Sequence, residues 1–290
     1  MVTAQMVKEL REITGAGMLD CKKALEANDC DIKAAIDWLR EKGISKAEKK
    51  ASRVAAEGLC NVVVSGNKAL LYEVNSETAF VAKNEQFLAL LNKLGEVLIN
   101  SNATTDEEAF AVEVDGQTVK DLLTNATATI GEKITLRRIT VVNKTDSQVF
   151  GAYKHQGGRI ASLSVIEGGN DVVAKDIAMH VAANNPRYLN QESISPEVVE
   201  HERQVLRAEA LNEGKPEAIV DKMVIGRLNK YLKEICLVNQ PFVKDPDQTV
   251  EQYVKANKGS VVNYVRLEVG EGLEKKVDNF VEEVMAQVKA

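Results

Sequence analysis

The chain is short of the residues from which most active sites are made. His155, His180 and His201 are its only histidines. None belongs to an H-E-x-x-H pair and no Cys/His cluster has zinc spacing, so a zinc hydrolase or zinc finger has no ligands to use. Asp176 and His180 lie four apart on a predicted helix. Two such groups are too few for a metal, and they read as a surface or capping pair. The four cysteines, Cys21, Cys30, Cys60 and Cys236, contain no C-x-x-C spacing, which fits a reducing, cytoplasmic setting. No uninterrupted apolar run approaches the length of a membrane span. The first ten residues read as a helix, with neither the apolar core of a secretory signal nor an acid-poor, Arg-rich leader. There is no G-x-x-x-x-G-K-[ST] phosphate loop and no G-x-S-x-G elbow. Gly131-Glu132-Lys133 imitates only the tail of the former, and it stands ahead of a strand rather than a helix. Net charge is -6, which speaks against a dedicated nucleic-acid binder. No catalytic residue, metal or cofactor is expected from these absences.

What is present is a long, patterned, mixed-charge chain. Its 290 residues exceed what one typical domain needs. Residues 3 to 43 read as three short helices. Thr3 caps the first, whose apolar side includes Met6, Leu10 and Ile13. The second runs from about Met18 to Ala27. Asp31 caps the third, with Ile32, Ala35, Ile36 and Leu39 in one stripe and Gly43 at its end. None is stable alone, so they must share one small core, as in a ubiquitin-associated module. Met18 and Leu19 are adjacent and cannot both enter that core, so one is expected to be exposed. Ser45-x-x-Glu48 has the form of a capping box and predicts a separate basic helix through Lys46, Lys49, Lys50 and Arg53, closed by Gly58.

From Leu59 the period changes to that of strands. Residues 60–64 and 69–74 flank a Ser-Gly-Asn-Lys turn and predict a hairpin. Then comes a corner, Asn75-Ser-Glu-Thr-Ala-Phe-Val-Ala-Lys-Asn84, followed by a predicted helix over 85–98. Phe80 lies seven before Phe87, a spacing that would place both in the core if one helix carried them. Residues 119–130 predict a helix and 134–142 a strand. The pattern then restarts with an offset of 92: Gly66 falls on Gly158, Leu71 on Leu163, Val74 on Ile166, and Val81-Ala-Lys83 on Val173-Ala-Lys175. Phe80 falls on Val172, so the shared scaffold needs an apolar residue there but not a large one. Ser195-Pro196 and Lys215-Pro216 start two helices joined by a tight link, a helical hairpin inserted in the second half. Strand-like sequence resumes at Ser260, and a final helix is predicted over 277–288.

The expected architecture is α+β. It comprises a three-helix module (1–44), a basic linker helix (45–58), core subdomain N (59–142), core subdomain C (143–190 and 235–269), the inserted helical hairpin (191–234) and a C-terminal module (270–290).

Several stretches carry a resemblance. Val7 to Leu25 resembles the N-terminal signature of the bacterial elongation factor Ts family. Glu73-Val-Asn-Ser-Glu-Thr-Ala-Phe-Val-Ala-Lys83 resembles its second signature. Asp176 to Ala183, Glu213-Gly-Lys-Pro216, Gln240-Pro-Phe-Val243 and Val269 to Lys275 are also similar to the family, in the family's order. The resemblance implies a guanine-nucleotide exchange factor without covalent chemistry. Its partner would be elongation factor Tu, GDP-bound and nucleotide-free, with no direct nucleic-acid or membrane contact. Arg11, Met18 and Leu19 would touch the partner's nucleotide domain. Thr78, Ala79, Phe80 and Val81 would reach the region of its magnesium, with Phe80 as a wedge. His155, at the second hairpin's tip, would meet its third domain. The family usually has Asp where this chain has Ala79. Two other classes compete: an adaptor built on the three-helix module, and an RNA-handling protein suggested by the Lys46–Arg53 run. The downstream signatures weigh against the first, acidity and few aromatics against the second. The helical hairpin could also serve self-association.

Overall fold

A computed structural model describes residues 2–273. The predicted helix at 277–288 lies outside them. The described residues divide into two compact units: residues 2–60, 72–140 and 268–273 form one, residues 61–71 and 141–267 the other.

The first unit begins with α1 (Ala4–Thr14), α2 (Met18–Ala27) and α3 (Ile32–Glu48). Thr3 and Asp31 cap α1 and α3 by accepting from the Met6 and Ala34 amides, which satisfies amides that have no partner inside a helix. Val7, Leu10, Cys21, Ala24, Leu25 and Ala35 form the shared core. Two expectations fail here. The third helix does not end at Gly43, and no separate basic helix follows. Instead α3 continues through Gly43 to Glu48, and turns carry the chain to residue 53. Gly43 is a packing position rather than a stop. A Cβ there would stand 3.3 Å from the Ala128 methyl on the facing helix, so its absence lets the two helices approach. Gly58 likewise closes no helix; it lies in a strand at φ +130, where a Cβ would meet the Val74 carbonyl at 2.1 Å.

The chain continues through β1 (Glu57–Ser65), β2 (Lys68–Ser76), α4 (Glu85–Ile99), α5 (Asp106–Ala111), a short hairpin of β3 (Glu113–Val114) and β4 (Gln117–Thr118), α6 (Val119–Ile130) and β5 (Thr135–Asn143); of these, residues 61–71 of the β1–β2 hairpin and 141–143 of β5 belong to the second unit. The sheet order is β1-β2-β5. Tyr72, Phe87, Leu94, Leu98 and Leu136 are fully buried. Beneath them lies a buried acid. Glu73 is paired with Arg137 at 3.0 Å and Arg138 at 2.7 Å, and accepts from the Asn75 side chain and the Gly270 amide. A carboxylate can be buried only when its charge and lone pairs are met in this way. The arginines donate onward to the Glu268 and Glu271 carbonyls, which fastens the chain at 268–271.

The second unit holds β6 (Gln148–His155), β7 (Ile160–Gly168), α7 (Asp171–Asn184), α8 (Pro196–Asn212), α9 (Glu217–Ile235), β8 (Pro241–Phe242), β9 (Asp245–Thr249), α10 (Val250–Ala256) and β10 (Gly259–Glu268), with sheet order β10-β7-β6. Helix α7 lies close on β6 because Gly151 has no Cβ; one would overlap the Ala174 carbonyl. The α8–α9 hairpin turns at Gly214 (φ +74) and is laced by a two-bond Glu213–Arg227 pair at 2.8 and 3.0 Å. It leaves and rejoins the unit where Leu237 donates to Tyr188.

The repeat is visible element by element. Strands β2 and β7 have equal length and differ by the 92-residue offset, and the two sheets have corresponding order. Past the hairpin the offset grows. Gln117-Thr118-Val119, opening α6 with a capping box, matches Gln248-Thr249-Val250, opening α10 with another. Both valines are fully buried. The offset there is 131 against 92 before it, and the helical hairpin inserted between the two stretches accounts for the larger spacing.

Asp176 and His180 are not a surface or capping pair. Both are buried on α7, and each finds its partner far along the chain. The His180 ring accepts from the Val243 amide at Nδ1 (3.1 Å), so Nε2 carries the proton towards the Gln240 side-chain oxygen at 2.9 Å. Burial lowers its pKa, and the Gln240 contact partly opposes this. Asp176 accepts from Lys244 and from the Tyr253 hydroxyl. The Tyr253 hydroxyl is pushed up to about 12 by burial and by that carboxylate, and its ring stacks on Phe242 at 4.2 Å. These motif residues hold the second unit together.

Candidate functional site

The corner after β2 is where the two halves of the repeat differ most. In the second half α7 begins three residues after its strand, capped by Asn170. In the first half the equivalent residues do not start a helix. The chain runs through Glu77–Phe80, makes one 3₁₀ turn at Val81–Lys83, and only then enters α4, capped by Asn84. The residue that would join Phe87 in one helical stripe is therefore outside the helix. Phe87 is fully buried, and Phe80 is 86% exposed. Ala79 is also exposed, Val81 half-buried and Ala82 buried. Large isolated apolar side chains at this exposure do nothing for their own core.

The arch that carries Phe80 is fixed at both ends. On its far side the Lys83 and Asn84 amides donate to Phe80 and Val81. On its near side the Ser76 hydroxyl donates to the Thr78 carbonyl at 2.9 Å. Glu132 then takes both donors of Thr78, the amide at 2.9 Å and the hydroxyl at 2.7 Å. The next amide, of Lys133, donates to Glu77 at 2.7 Å, and Arg53 pairs with Glu77 at 3.3 Å. The Lys133 ammonium donates to the Ala51 and Arg53 carbonyls, and Lys50 to the Gly131 carbonyl. Glu132 and Lys133 were missed in the sequence because only their unlikeness to a phosphate loop was legible. Their partners lie more than 50 residues away.

Elsewhere in the same unit, the α1–α2 turn exposes more apolar surface than expected. Met18 and Leu19 are both exposed, at 60% and 75%, and so is Ile13. The first turn of α2 precedes its buried residues Cys21, Ala24 and Leu25, so neither residue is drawn inward. Arg11 is exposed on α1. Beside this turn a cleft of about 570 Å³ lies between the three helices and α6, lined by Ile13, Ile36, Leu39 and Lys42 among others.

His155 belongs to the second unit, at the end of β6. It is half-buried, and its Nδ1 meets the Tyr153 hydroxyl at 3.3 Å. Arg11, Met18, Leu19 and residues 78–81 share the first unit.

The chemistry available at these places is that of contact. Among the described residues no group of three or more His, Cys, Asp or Glu is placed to hold a metal. The Cys60 thiol is pushed far up by burial and by the nearby Glu73 charge, which makes it a poor nucleophile. Among the described residues no helix is long and apolar enough to cross a membrane. In comparison with known families, the family model described as Elongation factor TS matches residues 77–271. The match begins at the Phe80 corner and ends at the segment fastened by Arg137 and Arg138; the Val7–Leu25 signature lies outside it.

Proposed function

The chain belongs to the elongation factor Ts family, whose members act in translation elongation as nucleotide exchange factors for elongation factor Tu, and from that premise we propose how this chain performs the exchange. It binds elongation factor Tu with GDP in the cytoplasm. The corner Thr78-Ala-Phe-Val81 enters the region of the bound magnesium and phosphates, with Phe80 as the wedge. Arg11, Met18 and Leu19 hold the nucleotide domain, and His155 a third contact. GDP leaves, and GTP reloads. The domain scheme of module, two core subdomains, inserted hairpin and C-terminal module distributes these contacts over the chain.

The observation that carries this reading is the presentation of Phe80: a large apolar side chain, exposed, on an arch fixed at both ends. No covalent step is needed. A GTPase holds its diphosphate by a backbone cradle and magnesium. An exchanger that binds better to the emptied partner than to the loaded one lowers nucleotide affinity, and by linkage the nucleotide lowers exchanger affinity by the same factor. Burying one Phe contributes about 1.5–3 kcal/mol, and each tenfold loosening needs about 1.4 kcal/mol. Phe80 therefore supplies one or two decades, and the other contacts supply the rest.

Linkage gives the test. Titrating this protein into nucleotide-free elongation factor Tu and into the GDP complex by calorimetry should show much tighter binding to the empty form. Equal affinity for the two forms would rule the reading out, because a ligand without preference shifts nothing.

A further inference from the structure

We infer that Glu132 is a positioning residue for exchange: its carboxylate, clamped on the Thr78 amide and hydroxyl, sets the arch on which Phe80 is presented. The inference rests on the wedge reading of Phe80 and adds a residue outside the corner itself.

Three strips of chain meet at this clasp. Residues 50–53, leaving α3, hold the turn after α6 through Lys50 on the Gly131 carbonyl and through the Ala51 and Arg53 carbonyls on Lys133. That turn holds the corner twice, through Glu132 on Thr78 and the Lys133 amide on Glu77. Arg53 closes the ring on Glu77. Beyond Thr78 the side chains of Ala79 and Phe80 project from the clamped stretch, and the arch is held again on its far side where the Phe80 carbonyl accepts from the Lys83 amide.

The fold does not need this clasp in order to close. The second half of the repeat makes the same strand-to-helix passage by starting its helix directly behind the Asn170 cap. Nor does the clasp fill a core, since the Thr78–Glu132 bonds lie at the surface. What it changes is the freedom of the arch. An exposed Phe on a loose loop must be ordered when it enters a partner, and that cost is subtracted from its contacts. A clamped arch has already met it. Carboxylate geometry suits the task, because two oxygens take two donors of one residue at once.

The test measures release of a fluorescent GDP analogue from elongation factor Tu against concentration of the full-length protein, giving a maximal rate and a half-saturating concentration. Glu132→Ala should lower the maximal rate about tenfold while shifting half-saturation less than about threefold, since the clasp acts on the wedge and not on the remaining surface. Glu132→Gln, which keeps one acceptor, should fall between. Thr78→Val removes the hydroxyl from the other side and should lower the rate in the same direction, which covers the case of a poorly folded Glu132→Ala. In a Phe80→Ala background, Glu132→Ala should cost less than about twofold more, because both act through one side chain. A full maximal rate in both Glu132→Ala and Thr78→Val, or losses that multiply with Phe80→Ala, would overturn the inference and leave the wedge intact. No acceleration by the unsubstituted protein would overturn the wedge reading and this inference together.

Discussion

Phe80 and Val172 stand at the same position of an internal repeat, 92 residues apart, and both face solvent, at 86% and 66% exposure. Their settings differ. Val172 is inside the first turn of α7, whereas Phe80 stands ahead of its helix, on an arch. The size of the residue and the opening of the helix start occur together in one half only. Neither is required by the strands that the halves share.

The first expectation follows from that exposure. Phe80→Ala should leave stability within about 0.5 kcal/mol, as surface substitutions do. It should slow nucleotide release by about 10- to 100-fold, the worth of one buried Phe. Urea unfolding and stopped-flow release, run on the same preparation, separate the two. A large drop in stability with unchanged release would mean that Phe80 serves the fold.

Ala79 is the next position to alter. It is exposed and brings no acceptor to the corner. A carboxylate there would compete for the polar groups that position magnesium and its waters. Ala79→Asp should therefore accelerate GDP release above that of the unsubstituted protein. An unchanged rate would show the carboxylate to be dispensable in this background.

Glu73 makes the opposite kind of prediction. Its carboxylate is fully buried between Arg137 and Arg138 and accepts the Gly270 amide. Glu73→Ala removes the buried acceptor of both arginines and of the Gly270 amide, leaving Arg138 its outer pair with Glu271, and should cost about 3–5 kcal/mol. Chemical denaturation checks it, and a loss below about 1 kcal/mol would show that water and backbone take over the arginines easily.

The pH dependence of stability should carry the mark of His180. Its folded pKa lies below the ordinary value of 6.5 because burial disfavours the cation. The unfolded chain then binds the proton first as pH falls. Stability should decline once pH drops below about 6.5 and stop declining below the folded pKa. Asp176, one turn before it on the same helix, is engaged by Lys244 and Tyr253. His180→Gln should flatten the decline between pH 7 and 5. An unchanged slope would place the titrating group elsewhere.

Much of the fold could be read from local signals. Alternating apolar residues about Gly-containing turns marked both hairpins, and the offset of 92 found strands of equal length. Caps at Thr3 and Asp31 were legible because they act within one turn. What failed depends on neighbours remote in sequence. Gly43 reads as a stop until Ala128 is seen against it. Asp176 and His180 read as surface residues until Gln240, Val243, Lys244 and Tyr253 arrive from 60 or more residues away. At the candidate site, Phe80, Met18 and Leu19 were visible as apolar residues at awkward places. Phe80 could equally have belonged to the core with Phe87, and only the late start of α4 separates them. Glu132 gave no local signal, since its meaning lies wholly in Thr78.

The most direct measurement mixes elongation factor Tu, carrying a fluorescent GDP analogue, with excess GDP and micromolar amounts of this protein, and follows release in the stopped flow. The unsubstituted chain should accelerate release strongly, with Phe80→Ala falling one to two decades behind it. No acceleration by the unsubstituted chain, or full acceleration by Phe80→Ala, would contradict the account.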